Sequence, residues 1–314
     1  MADLIEQYNS VVPVDQNYTY ELLATVIDNL VAKYPYIEMG TIGRSVMGKD
    51  IYYLKLGKGT REVCYNASFH ANENITTPVL LRFAEQLMEQ YVAGDTVLGV
   101  YPRLLFEQFS LYLIPMVNPD GVDLVNGALT EGEYYSRAKS IGQQYPQISF
   151  PTGWKANIEG VDLNLQFPAG WENAKQIKFA QGYTKPAPRD YVGVAPLIAP
   201  ESRAMYDFTI DHNFELILAY HTQGEVIYWK YLNYEPENSK RIAEYFGRVS
   251  GYTVEQTPIA SGYAGYKDWF IESYDRPGYT IEAGLGINPL PMSQFEKIYR
   301  DNIGILLGGM TELP

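Results

Sequence analysis

The chain has 314 residues, of which 46% are hydrophobic, and its formal net charge at pH 7 is −13. This length and composition predict a folded protein with a sizeable apolar core. The acidity argues against nucleic acid and anionic membrane surfaces as partners, because both require clustered lysine and arginine. The single cysteine, Cys64, excludes an intrachain disulfide.

The N-terminal segment has no basic region followed by an apolar stretch, and no apolar run is long enough to span a bilayer. These features favour a cytoplasmic location; a chain trimmed of its leader would instead be extracellular or spore-associated. We expect residues 1–17 to form an irregular lead-in. We expect residues 1–314 to form one catalytic domain, because no repeat, low-complexity tract or linker divides them.

In the N-terminal half, apolar runs and amphipathic segments alternate. They predict, in order, a helix over 18–34, two strands within 37–57, a strand over 62–69, a helix over 77–91 and a strand over 111–117. The sequence Asn-Pro-Asp-Gly at 118–121 predicts a turn. Hydrophobic periodicity is then lost over 126–153, where we expect a long loop beside the functional site.

The C-terminal half begins with a second irregular segment, 167–200, which is rich in proline and glycine. The pattern then predicts, in order, a helix over 201–213, a strand over 214–221, helices over 238–250 and 265–272, a strand over 278–282 and a helix over 292–310. Strands alternating with helices indicate an α/β fold with a largely parallel sheet. In such sheets, functional sites form at the carboxyl ends of strands.

His70 and Glu73 lie in the turn after the predicted strand 62–69. An imidazole nitrogen and a carboxylate oxygen at this spacing can bind one zinc ion, although an isolated His-x-x-Glu pair is more often a plain surface turn. His221 ends a buried strand, where a histidine is as often structural as functional. Two histidines and one glutamate leave a fourth position open, which is the pattern of a catalytic zinc site. His212, at a predicted helix end, is expected to be structural.

Glu282 ends the predicted strand 278–282 and precedes Ala283 and Gly284, whose small size leaves room for a ligand. Zinc lowers the pKa of water and polarises a carbonyl group. A general base must then take the proton of the attacking water and pass it to the leaving amine. Glu282 is the predicted base; the alternative is a solvated carboxylate at a strand end.

Six short motifs together resemble the zinc carboxypeptidase family. They are HANE at 70–73, NPDG at 118–121, GVDLN at 160–164, YH at 220–221, KDW at 267–269 and TIE at 280–282. The resemblance implies an α/β/α sandwich with a mixed, largely parallel eight-stranded sheet and one zinc ion per chain. It implies the zinc ligands His70, Glu73 and His221, with Glu282 as general base. It also implies that Asp162 orients the first histidine ligand, which meets the physical need to fix one imidazole tautomer.

Two departures from the family pattern concern the substrate. The arginine that usually follows Asn164 and binds the substrate's C-terminal carboxylate is replaced by Leu165, which cannot form a bidentate pair. Nine residues before Asn164, where related enzymes carry an arginine that stabilises the oxyanion, this chain has Lys155. A lysine supplies charge there but not a planar fork. We assign the oxyanion role to Lys155 and keep Asn164 as a substrate-binding residue.

Three segments, 154–171, 220–229 and 281–291, resemble one branch of the family. This branch is the bacterial γ-D-glutamyl-L-diamino acid endopeptidases, which cut peptidoglycan stem peptides. The resemblance implies that Lys267 lines the pocket for the residue after the scissile bond, where a cation suits the side-chain carboxylate of diaminopimelate; a solvated surface lysine is the alternative. The family's mobile active-site tyrosine falls in SGYAGYKDW at 261–269, where Tyr263 and Tyr266 are both candidates.

The sequence therefore predicts a zinc metallopeptidase that hydrolyses the γ-D-glutamyl–diaminopimelate bond of a murein peptide. Three alternatives stay open. The first is a carboxypeptidase that binds the substrate carboxylate through Lys155 or Lys267, and the second is a zinc amidase of a small acylated amino acid. The third is a metal-binding or wall-binding module without turnover, although retention of both Glu73 and Glu282 argues against it because binding alone needs no base.

Overall fold

The computed structural model describes residues 10–314, and within that range the backbone forms an eight-stranded sheet. The strands are β1 (Glu38–Arg44), β2 (Asp50–Leu56), β3 (Arg61–Ala67), β4 (Phe109–Ile114), β5 (Phe214–His221), β6 (Val226–Tyr228), β7 (Thr253–Glu255) and β8 (Gly278–Glu282). Residues 1–9 of the expected lead-in lie outside the described residues.

Around the sheet lie the helices. They are α1 (Tyr20–Lys33), α2 (Thr76–Ala93), α3 (Pro102–Gln108), α4 (Pro119–Val125), α5 (Gly132–Gly142), α6 (Trp171–Ala180), α7 (Pro200–Ile210), α8 (Ser239–Ser250), α9 (Tyr266–Tyr274) and α10 (Phe295–Thr311). A search of residues 10–314 finds no helix with the length and apolar character that crossing a membrane requires.

The sheet has the order β1-β2-β4-β3-β5-β8-β6-β7. Its centre is parallel, because β4, β3, β5 and β8 are parallel neighbours. The pairs β1–β2, β2–β4 and β6–β8 are antiparallel. This mixed eight-stranded sheet confirms the predicted fold class, and the parallel centre brings the carboxyl ends of β3, β5 and β8 to one edge.

Successive residues of β3 contact two different cores, because side chains alternate across a strand. Val63 and Tyr65 belong to the core that includes Val79 of α2 and Leu306 of α10. Cys64 faces the opposite side, in the core that includes Ile271 of α9. Helices therefore cover both faces of the sheet, which is the expected α/β/α sandwich.

Three predictions about local structure were wrong. Residues 118–121 do not form a turn but begin α4: Pro119 occupies the first helical position, and the side chain of Asn118 accepts a hydrogen bond from the Gly121 N–H. The expected loops 126–153 and 167–200 contain α5 and α6. Both helices bury only three residues, so their apolar stripe is too narrow to produce a clear helical period.

Further elements escaped prediction because they are short. The helix α3 has seven residues, and β6 and β7 have three each, which is too few for a periodicity to be recognised. The strands β5 and β8 have the bounds that the sequence predicts. Those two strands, together with β3, position the functional side chains.

Candidate active site and metal centre

The side chains of His70, Glu73 and His221 converge at the carboxyl edge of the sheet. His70 and Glu73 lie in the turn after β3, and His221 is the last residue of β5. The Nδ1 atom of His70 lies 3.0 Å from Glu73 Oε1, and the Nδ1 atom of His221 lies 2.9 Å from Glu73 Oε2. Candidate ligand atoms of the three residues all lie within 4.8 Å of one another. One metal ion could contact all three.

The hydrogen bonds around the cluster fit a divalent cation. Nε2 of His70 lies 3.1 Å from Asp162 Oδ1, which can only accept when ionised, so Nε2 carries the proton and Nδ1 presents its lone pair to the cluster. The two histidine Nδ1 atoms face each other at 3.2 Å, an arrangement that needs a proton or a metal ion between them. Two imidazole nitrogens and a carboxylate form a donor set that zinc prefers. When bound there, zinc would lower the pKa of a water molecule and polarise a carbonyl group.

Electrostatic interactions keep the Glu73 carboxylate ionised and favour a proton on His70. Burial alone would raise the pKa of Glu73, but His70 and Lys155 hold it well below its usual value. Burial alone would lower the pKa of His70, but Glu73 and Asp162 raise it to about 9. A proton therefore competes with a metal ion for His70, and metal binding is expected to release it.

Hydrogen bonds to backbone groups fix the turn that carries His70. The buried amide of Asn118 donates to the carbonyl oxygens of Phe69 at 3.1 Å and Ala156 at 3.0 Å. The Ala71 N–H donates to the Lys155 carbonyl oxygen at 3.0 Å. The turn after β3 and the loop carrying Lys155 are thus held together by one buried asparagine and one backbone hydrogen bond.

Glu282, at the end of β8, lies directly opposite His221 in the register of β5 and β8. Within residues 10–314 its carboxylate accepts no hydrogen bond and forms no ion pair. Burial raises the pKa of Glu282, Glu73 adds to the increase, and His221 opposes it. A carboxylate with free acceptor atoms and a raised pKa is suited to take a proton from water and pass it on.

Two cavities meet at this cluster. The small cavity, of about 200 Å³, is lined by His70, His221, Asn164 and Lys267 among others. The large cavity, of about 510 Å³, is lined by residues that include Gln147, Ile148, Ile287 and Asn288. Both cavities share four lining residues: Lys155, Arg189, Tyr228 and Glu282. These four residues therefore lie at the junction of the two cavities.

Three of the predicted substrate-site residues line these cavities. The Lys155 ammonium lies 2.7 Å from Glu73 Oε1, and although burial opposes it, Glu73 and Glu282 raise the pKa of Lys155, which keeps it charged. Asn164 uses Oδ1 to accept the Tyr266 N–H at 3.0 Å. Lys267 is buried: its ammonium donates to the Lys230 carbonyl oxygen at 2.8 Å and pairs with Asp268 at 2.5 Å.

Of the two candidates for the mobile active-site tyrosine, Tyr266 lies in the core and lines neither cavity. Tyr266 is the first residue of α9 and is fully buried. Its hydroxyl bonds with Thr209 Oγ1 at 2.9 Å, and its ring packs against Phe69 and Phe167. The other candidate, Tyr263, packs against Tyr231 and is not among the residues that line either cavity.

Sequence reasoning missed three residues of the site. Tyr228 lies on the three-residue strand β6, and its only signal was the family-like segment 220–229. Arg189 lies in a segment without periodicity, and Asn288 comes after β8, where its Nδ2 donates to the Thr222 carbonyl oxygen at 3.0 Å.

His212, expected to be structural, lies among the rings of Tyr112, Phe208 and Phe214.

Fold and site together define a metal-dependent hydrolase, in which a glutamate lies opposite a His-Glu-His cluster. The model of the zinc carboxypeptidase family matches residues 23–304. The chain belongs to this family and is a zinc metallopeptidase.

The chain is similar to some proteins in sequence and to others in fold alone. Gamma-D-glutamyl-L-diamino acid endopeptidase 1 of Lysinibacillus sphaericus is 45% identical over 295 residues, which cover 94% of this chain and 72% of the relative. The structure of carboxypeptidase A from Helicoverpa armigera has a TM-score of 0.68 at 18% identity, covering 98% of this chain and 80% of that one. The murein-tripeptide amidase structure from Escherichia coli O157 has a TM-score of 0.54 at 17% identity, covering 86% and 91%. The two structures show the shared fold, whereas the Lysinibacillus enzyme is a relative in sequence.

Proposed function

We propose that this zinc peptidase hydrolyses the amide bond between the γ-carboxyl group of D-glutamate and diaminopimelate in murein peptides. One zinc ion per chain would be held by His70, Glu73 and His221. Glu282 would take the proton of the attacking water and pass it to the leaving amine, and Lys155 would contribute positive charge beside the oxygen that becomes negative. The 45% identity to a γ-D-glutamyl-L-diamino acid endopeptidase supports this substrate.

The observation that carries the proposal is that the cleft has the residues for hydrolysis but lacks the family's carboxylate-binding arginine. Leu165 takes the place of that arginine, is only 7% exposed and packs in a cluster with Trp171 and Val192. In the small cavity the ammonium of Lys267 is already paired with Asp268. This pairing leaves no unpaired charge on Lys267 for a free C-terminal carboxylate, which argues against a carboxypeptidase that binds it through Lys267.

Product analysis by mass spectrometry tests the proposal. Zinc-loaded protein would be incubated with L-Ala-γ-D-Glu-meso-diaminopimelate, with and without a C-terminal D-Ala. We expect L-Ala-D-Glu to be released from both peptides, because the cut does not depend on a free C-terminal carboxylate. Release of only the terminal residue would instead identify a carboxypeptidase. No cleavage of either peptide by protein with bound zinc would contradict the proposal and favour a small-molecule amidase or a binding module.

A further inference from the structure

Arg189 lies at the junction of the two cavities and is held there by its neighbours in sequence. It lines both the small and the large cavity, as Lys155 and Glu282 do. The carbonyl oxygen of Pro188 accepts the Lys155 N–H at 2.7 Å, and the Asp190 N–H donates to Asp162 Oδ2 at 3.0 Å. The backbone on both sides of Arg189 is thus tied to residues of the metal centre.

The basic residues of the two cavities differ in how far their donors are already used. Each lining lysine pairs with a carboxylate: Lys155 with Glu73, Lys178 with Asp190, and Lys267 with Asp268. Arg189 also pairs with a carboxylate, but only through its Nε, with Asp190 Oδ2 at 2.6 Å. Its Nη1 and Nη2 groups donate to no residue in the range 10–314, and its side chain is 43% exposed.

The large cavity has a simple charge pattern. Its described lining includes three charged residues, Lys155, Arg189 and Glu282. Lys155 contacts Glu73, and Arg189 contacts Asp190 through Nε alone, so the Nη1 and Nη2 donors of Arg189 stay available to this cavity. Asp190 holds one edge of that group, so the remaining donors form a partly fixed fork, the geometry that binds a carboxylate in bidentate fashion.

A γ-linked glutamyl residue carries a free α-carboxylate, which an α-linked residue within a peptide lacks. Its side-chain carboxyl group forms the peptide bond, so its α-carboxylate stays free on the acyl side of the scissile amide. An α-linked residue has no charge at this place. We propose that Arg189 binds the free α-carboxylate of the D-glutamyl residue and thereby selects γ-linked substrates. This assignment rests on the proposed function, in which the bond cleaved is the amide of the D-glutamyl γ-carboxyl group.

Steady-state kinetics on two matched substrates test the role of Arg189. One is L-Ala-γ-D-Glu-meso-diaminopimelate; the other has the glutamyl α-carboxylate replaced by an α-amide. The wild-type protein is expected to favour the carboxylate substrate in kcat/KM by about 10- to 100-fold, the range for a hydrogen bond to a charged group. Arg189→Gln should reduce this preference to about 2-fold or less, and Arg189→Lys should retain part of it, because lysine keeps the charge but loses the fork.

The matched control is Arg137→Gln. Arg137 is an exposed arginine of α5 that pairs with Glu159 and does not line either cavity, so its substitution should leave the preference unchanged. If Arg189→Gln lowers kcat/KM equally for both substrates, its role is structural and the assignment is overturned. If the wild-type protein cleaves both substrates equally well, the assignment fails while the proposed function stands. If it cleaves neither, the proposed function fails and the assignment fails with it.

Discussion

At the scale of single residues, two glutamates at the metal centre differ in their surroundings. Glu73 is buried and its oxygens contact His70, His221, Lys155 and the Thr222 N–H. Glu282 accepts no hydrogen bond from the residues in the range 10–314. The first environment suits a fixed, ionised metal ligand, and the second suits a carboxylate that exchanges protons.

This contrast predicts different effects of the same substitution at the two positions. Glu282→Gln should lower kcat by about 10²- to 10⁴-fold, the usual contribution of a general base, and leave zinc affinity unchanged. Glu73→Gln should weaken zinc binding itself, because an amide is a poorer zinc ligand than a carboxylate. Calorimetric zinc titration combined with kcat measurements would separate the two. Turnover of Glu282→Gln within a few-fold of wild type would show that Glu282 is not the base.

A third glutamate, Glu201 at the start of α7, is fully buried. It accepts hydrogen bonds from the Val46 N–H at 3.1 Å and the Asn157 amide at 3.2 Å. Burial outweighs these contacts and raises the pKa of Glu201 from 4.5 to about 7. The folded protein therefore binds this proton more tightly than the unfolded chain, and its free energy of unfolding should fall as pH rises from about 4.5 to 7.

Glu201→Gln removes that titration. As pH rises from 5 to 8, the free energy of unfolding of the wild type should decrease relative to that of the variant, by on the order of 1–3 kcal/mol. Urea denaturation of both zinc-loaded proteins at several pH values measures the difference. The same substitution at exposed Glu131 serves as the control and should give a curve parallel to wild type. A parallel curve for Glu201→Gln would contradict the prediction.

At the scale of secondary-structure elements, the site depends on the segments that leave the carboxyl ends of the central strands. The turn after β3 carries His70 and Glu73, and the segment after β4 leads to Asn118, which caps α4 and donates to two carbonyl oxygens of the site loops. One side chain therefore joins a helix start to the metal-binding turn.

Asn118→Ala should cost about 3 kcal/mol or more in the free energy of unfolding, because it removes a helix cap and leaves two buried carbonyl groups without a donor. It should also weaken zinc binding, since the turn carrying His70 loses its anchor. Chemical denaturation and zinc titration measure the two effects.

Thr19→Ala is the matched control for that substitution. Thr19 caps α1 by accepting the Leu22 N–H at 3.2 Å, and its loss should cost about 1 kcal/mol without changing zinc affinity. Equal zinc affinity in Asn118→Ala and wild type would show that the anchor is not needed for the site.

The elements also explain which features the sequence could predict. The strands β5 and β8 are largely buried and end in His221 and Glu282. Each therefore reads in the sequence as an apolar run with a polar residue at its end, which located two candidate site residues. Tyr263 and Tyr266 both stayed candidates because sequence proximity to the KDW motif cannot show that the side chain of Tyr266 enters the core. The position of Arg189 at the cavities could not be predicted, because it depends on a nonperiodic segment folding back beside Asp162.

At the scale of the whole molecule, the metal centre joins parts of the chain that are distant in sequence. Glu73 and His221 are 148 residues apart: Glu73 lies in the turn after β3, and His221 is the last residue of β5. Both faces of the sheet have extensive apolar cores, so the fold does not depend on the metal in the way that a small zinc domain does. Zinc should therefore stabilise a protein that is already folded.

Removal of zinc with a chelator should lower Tm without unfolding the protein at 25 °C. Zinc at about 100 times its Kd should add about 2.7 kcal/mol to the free energy of unfolding, because it binds the folded state preferentially. Differential scanning calorimetry of the apo and zinc-loaded protein measures the shift. Glu282→Gln should keep this shift and Glu73→Gln should lose most of it; a Tm unaffected by zinc would contradict the predicted metal centre.

In the proposed reaction, water attacks the γ-carbonyl of the D-glutamyl residue. Its most direct test is hydrolysis of L-Ala-γ-D-Glu-meso-diaminopimelate-D-Ala in ¹⁸O-labelled water by the zinc-loaded protein, followed by mass spectrometry of both products. We expect one ¹⁸O atom in the γ-carboxylate of L-Ala-D-Glu and none in diaminopimelyl-D-Ala. Label in the carboxylate of a released tripeptide, with free D-Ala as the second product, would contradict it and identify a carboxypeptidase.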